Sequence, residues 1–153
     1  MFEYRGDNSI YLASSYKHRE TLTAEARRFF SQAGMVVVSR WLDETPFDPT
    51  LGAAVELIRK VRLSQADTDD VIAGRFLVLL SDEGTGHVNV SGGKHSELGM
   101  AIILKQLNPS REIIVVGGKE RNIFQNHPLV KHVCSKEMAL VLMREKMHAM
   151  AHC

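Results

Sequence analysis

The sequence predicts a single α/β domain of the flavodoxin-like kind, a doubly wound parallel sheet of about five strands. Three observations carry that expectation. Short runs rich in Val, Ile and Leu alternate with longer amphipathic segments. The runs are near-continuously apolar, the pattern of strands covered on both faces. Strands that alternate with helices pair in parallel, and right-handed crossovers leave few topologies open.

The first strand is SIYLAS (Ser9–Ser14). In the next segment, His18–Gly34, residues Leu22, Ala26, Phe29 and Phe30 form one helical stripe and Gly34 supplies a stop. MVVVSRW (Met35–Trp41) reads as the second strand. Past the turn signals Pro46 and Pro49, a helix is expected over Leu51–Gln65, followed by the third strand, RFLVLLS (Arg75–Ser81). Glu97–Leu107 is the third helix, halted by Asn108-Pro109 and able to begin as early as Gly93. EIIVVG (Glu112–Gly117), a short strand near Val130–Cys134 and a helix over Lys136–Met150 complete the order. Residues 1–153 carry no internal repeat or low-complexity tract and read as one domain.

Composition narrows the function. The chain is 44% hydrophobic and 24% charged, with 19 Lys and Arg against 18 Asp and Glu and a net charge of +1. That balance argues against binding of a nucleic-acid polymer, which favours a strongly basic face. No apolar run approaches the roughly 20 residues of a membrane helix, and the N-terminus lacks the build of a secretory signal. A cytoplasmic location and no membrane partner are expected. Two cysteines, Cys134 and Cys153, make neither a disulfide framework nor a zinc pattern. His148, His152 and Cys153 lack a carboxylate to complete a metal site, so no metal and no cofactor is expected.

In a doubly wound sheet, ligands bind beyond the carboxyl ends of the strands. SGGKHSELGMAIILK (Ser91–Lys105) falls on that rim. Its glycines precede a helix whose first amides could hold a phosphate or a sugar hydroxyl. Glu97 sits in the first two turns, beside Leu98, Ala101 and Ile102, which should face the sheet. A carboxylate there would be rigid and partly dehydrated, although an acid in a first turn also simply complements the helix dipole. QADTDDVIAG (Gln65–Gly74) brings Asp67, Asp69 and Asp70 just ahead of the third strand, where one Asp could be a helix cap. Two polar groups with separate duties are what glycosidic cleavage needs.

IYLASSY, the D-x-x-D stretch and GGKHSELGMA together resemble the nucleoside 2-deoxyribosyltransferase family, in particular its small members with a GG-[RK]-H-x-E-x-G-x-A signature. VVGGKERNIFQNHP is similar to the segment after the fourth strand in those members, so the resemblance runs from about Ile10 to Val133. It implies a flavodoxin-like fold and cleavage of the N-glycosidic bond of a nucleoside or nucleotide through a covalent glycosyl-glutamate, with the sugar passed to another base or to water. It places the nucleophile on Glu97, the tyrosine that orients it on Tyr11 and the base-contacting aspartate on Asp67, with Asp70 as the alternative. By the same resemblance, Ser14, Ser91, Gly92 and Gly93 are candidates to hold a phosphate, and the protein is expected to be a homodimer or larger homo-oligomer, with the last helix a candidate interface. The aspartate that many transferases of the family carry six residues before the nucleophile is replaced here by Ser91, and the chain end MHAMAHC shows no counterpart of their C-terminal asparagine.

Four further residues are candidates for the substrate. Tyr16 and Trp41 at strand ends, and Phe124 in a loop, could stack on a base; His95 could polarise or orient the substrate. Two other functions fit the same residues less fully: an NAD or other nucleotide glycohydrolase, and a non-catalytic nucleotide-binding module.

Overall fold

The structure, a computed structural model, describes residues 2–46, 48–81, 93–118 and 122–151. Among them run five parallel strands: β1 (Ser9–Ala13), β2 (Val36–Val37), β3 (Phe76–Leu80), β4 (Glu112–Val116) and β5 (Val130–Val133). Their spatial order is β2-β1-β3-β4-β5, the flavodoxin-like order expected. Four helices cover the sheet: α1 (Leu22–Gln32), α2 (Ala53–Ala73), α3 (Gly93–Leu107) and α4 (Lys136–Ala151). Short 3₁₀ turns lie at Tyr16–His18, Arg40–Asp43 and Ile123–Asn126.

The two-residue period of β1 divides the core. Ile10 and Leu12 pack with Phe30 of α1 and Met143 of α4. Tyr11 and Ala13 point the other way, into a cluster with Val71 of α2 and Leu98, Ala101 and Ile102 of α3. The helix face that the sequence assigned to the sheet is therefore the one that packs there. Tyr11 is fully buried and pairs with Leu77 in the β1–β3 register. Gly74, just before β3, makes that placement feasible: a Cβ on it would meet the Cβ and amide nitrogen of Tyr11 at 3.0 Å, closer than side chains tolerate.

Two elements differ from expectation. β2 covers only Val36–Val37 of the Met35–Trp41 run, because side chains take over from its backbone. The amide of Leu12 donates to the Ser39 hydroxyl at 2.7 Å, and the indole N–H of Trp41 donates to the Leu12 carbonyl at 2.9 Å. With the edge of β1 satisfied this way, the chain turns into Arg40–Asp43. The second helix, expected to end at Gln65, continues to Ala73. No Gly or Pro interrupts it before Gly74, and Asp70 and Val71 are its two buried residues. The D-x-x-D stretch therefore lies inside the last turns of α2, where none of its acids caps the start of a helix.

Candidate active site

The carboxyl rim gathers side chains from four elements. β1 presents Tyr11, α3 presents Glu97 from its second turn, α2 presents Asp67 and Asp70, and the segment after β2 presents Arg40 and Glu44. The phenol of Tyr11 donates a hydrogen bond to Oε1 of Glu97 at 2.8 Å. This contact joins residues 86 apart in sequence, and Tyr11 is anchored in the core.

The electrostatics of this group are unusual because anions crowd it. Burial raises the Glu97 carboxyl from its ordinary 4.5 to about 7; the Tyr11 hydrogen bond opposes that rise and the Asp67 charge adds to it. Asp67 is lifted to about 6 by burial first, then by Glu44 and Asp70, with Arg40 pulling the other way. The Tyr11 proton is held far above its usual range by burial, then by the charges of Glu97, Asp67 and Asp70. Glu44 is itself raised by burial, against the pull of Arg59 and Arg19. Two carboxyl groups that titrate near neutrality both change charge at ordinary pH, a pattern that clusters at functional sites.

Asp67 and Asp70 are used differently. Asp70 is buried and both its oxygens accept hydrogen bonds from Arg40. Among the described residues, Oδ1 of Asp67 is buried without a hydrogen-bond partner, an acceptor open to a ligand. Arg40, Glu44 and Gly74 went unremarked in the sequence. An arginine and a glutamate flanking a Trp give no periodic signal, but a glycine directly before a strand is a cue to close backbone approach.

The remaining candidates are scattered around the rim. Ser14 sits at the end of β1 with its hydroxyl 2.5 Å from that of Thr23. Tyr16 is 52% exposed, its ring under the Arg19 guanidinium and its hydroxyl accepting from Arg19 at 2.8 Å. Trp41 is buried in the core and its indole N–H donates to the Leu12 carbonyl. His95 is half-buried on the first turn of α3. The Phe124 ring lies against Gly99 of α3, 3.8 Å from where a Cβ would be, and is 40% exposed. Gly93 opens α3, and no described atom comes within 4 Å of a Cβ placed there. Ser91, Gly92, His152 and Cys153 lie outside the described residues. Beside the cluster, Glu44 also lines a cavity of about 410 Å³ with Arg19, Arg27 and Asp43.

No family model and no curated protein matches the chain. A solved structure does. The CMP N-glycosidase of Clostridium botulinum superposes with a TM-score of 0.53 at 18% identity, over 89% of this chain and 98% of that one. That likeness shows the fold. None of the helices among the described residues is long and apolar enough to cross a membrane.

Proposed function

We propose that this protein cleaves the N-glycosidic bond of nucleotides, with Glu97 as the nucleophile and Asp67 as the acid that serves the departing base. The observation that carries this reading is the Tyr11–Glu97 hydrogen bond in a site with no cation directed at Glu97 among the described residues. A surface carboxylate has no need of a buried phenol to aim it; a nucleophile does. The fold shared with a CMP N-glycosidase adds support for a nucleotide substrate.

The chemistry balances without a cofactor. The ionised Glu97 carboxylate attacks the anomeric carbon; the C–N bond breaks, and its electron pair leaves with the base. Protonated Asp67 gives its proton to that nitrogen, so the base departs neutral. Water then attacks the glycosyl ester, its proton returns to Asp67, and Glu97 is released; a second base in place of water gives transfer. The Tyr11 hydrogen bond holds one carboxylate oxygen so that the other faces the sugar, and a partly dehydrated anion supports an oxocarbenium-like transition state. The amino end of α3 at Gly93 is suited to a 5′-phosphate. Self-association belongs to the same reading. Val55, Leu57, Ile58 and Val61 of α2 and Ile103 and Leu107 of α3 are exposed apolar side chains, a more extended set than Met138, Val141 and Met150 of α4.

The test is to incubate the protein with nucleoside monophosphates, deoxynucleotides, nucleosides and NAD, with and without a free acceptor base, and separate the products. Free base with sugar phosphate, or exchanged nucleotide when an acceptor is present, is the expected result. Nicotinamide release alone would redirect the reading to NAD, and silence across the whole panel would refute it.

A further inference from the structure

Asp67 and Asp70, three residues apart, share one face of α2. Oδ1 of Asp70 accepts from Nε of Arg40 at 2.7 Å, and Oδ2 accepts from the Arg40 backbone amide at 2.7 Å. Nη2 of Arg40 also donates to the carbonyl of Ala66 at 3.2 Å. Arg40 thus grips one turn of α2 at both ends, and Asp67 lies inside that turn. Asp70 is only 2% exposed, so its lone pairs face this arginine and little else, while the Arg40 side chain is 59% exposed. A buried carboxylate with both oxygens bonded internally is poorly placed to take a substrate.

We propose that the Arg40–Asp70 pair is a positioning device for Asp67, fixing the turn that aims it at the departing base. This assigns Asp70 to support of the acid and away from the substrate, and it rests on Asp67 being that acid. Among the described residues, the charged and titratable groups facing Asp67 are Glu97 from α3, Tyr11 from β1, Glu44 and Arg40 from the segment after β2, and Asp70 from α2 itself. Of these, Glu44 and Asp70 favour its protonated form and Arg40 opposes it. Because Arg40 is bound to Asp70, the pair presents little net charge to Asp67. Neutralising Asp70 would remove one proton-retaining charge and leave the guanidinium acting alone.

The experiment follows the Asp67 carboxyl by carbon NMR titration in the ligand-free full-length chain, alongside the pH profile of base release. In Asp70→Asn the Asp67 titration is expected to fall from about 6 by roughly one pH unit. Base release then drops roughly tenfold at pH 7 and under about twofold at pH 5. In Arg40→Gln the titration stays at or above its starting point, since an opposing cation has been removed. An unmoved Asp67 in D70N, or a downward move in R40Q, would overturn the proposal. So would a D70N variant whose only change is a weaker KM for nucleotide, which would return Asp70 to the substrate. The titration needs no substrate, so its outcome is separate from that of the functional reading: predicted shifts in a protein that cleaves no nucleotide would sink the reading and leave the pairing intact.

Discussion

Two carboxylates, one at each end of the sheet, show how neighbours either fix a charge or leave a carboxyl group free to titrate near neutrality. Glu112, the first residue of β4, is buried at the amino end. Three lysines surround it: Lys105, in contact; Lys131, at 3.0 Å; and Lys146, at 3.8 Å. Burial alone would raise its carboxyl, but Lys105 and Lys131 outweigh that and hold it below the ordinary value. At the carboxyl end, burial lifts the Glu97 carboxyl to about 7, with Asp67 adding to the rise and the Tyr11 phenol only partly opposing it. Ammonium partners fix a charge; a neutral donor aims a carboxylate while leaving its proton and its lone pairs available. The difference lies in the neighbours.

Exchanging each carboxylate for its amide should expose that difference most sharply. Glu97→Gln is expected to lose base release by at least about a thousandfold while keeping the fold. The folded-state proton affinity of Glu97 lies above its unfolded value, so its burial costs nothing below about 4.5 and costs up to about 3 kcal/mol above about 7. Glu97→Gln should therefore melt at a higher temperature than the parent at pH 8 and at a similar one at pH 4. Glu112→Gln should do the reverse: unchanged turnover and a loss of about 1–3 kcal/mol at neutral pH. A denaturation series with activity at each pH checks both, and a stabilising Glu112→Gln would erase the contrast.

Tyr11→Phe is a smaller perturbation. It removes a hydrogen bond to a charged group, worth about 1.5–3 kcal/mol, so a loss of roughly 10–100-fold is expected near pH 7. The bond holds Glu97 down, so without it the carboxyl climbs above about 7. The deficit should therefore narrow as pH rises; a constant ratio across pH would mean that Tyr11 does not touch the ionisation of Glu97. Smaller still is the shape of the parent profile. The proposed reaction needs Glu97 ionised and Asp67 protonated; with titrations near 7 and 6 this is the minor of the two singly protonated forms. kcat/KM should be bell-shaped with a maximum at about 6.5, the two limbs belonging to the pair.

The fold was largely legible because buried parallel strands write themselves as continuous apolar runs, and β1, β3, β4 and β5 fall within one or two residues of where their runs lie. β2 was overestimated, since nothing in MVVVSRW announces that Ser39 and Trp41 will replace backbone partners with side chains. α2 was underestimated at Gln65 because an aspartate there could equally cap a helix, whereas the contact of Arg40 with buried Asp70 lies within a continuous helix. Tyr11, Glu97 and the 67–70 acids were singled out by motif resemblance, and the structure brings them into one cluster. Which of the two outer aspartates is bound was not readable: it depends on Arg40, 27 and 30 residues away in sequence, and that is settled only when the Arg40–Asp43 turn and α2 pack together.

The central claim is that Glu97 makes a bond to the sugar. Acid-quenching the protein during turnover of its fastest nucleotide, then mapping peptide masses, tests it most directly. A glycosyl ester on the peptide at residue 97, forming and decaying as base is released, is the predicted result. Steady release of base with no adduct on that peptide, at a rate that the Glu97→Gln variant matches, would contradict it.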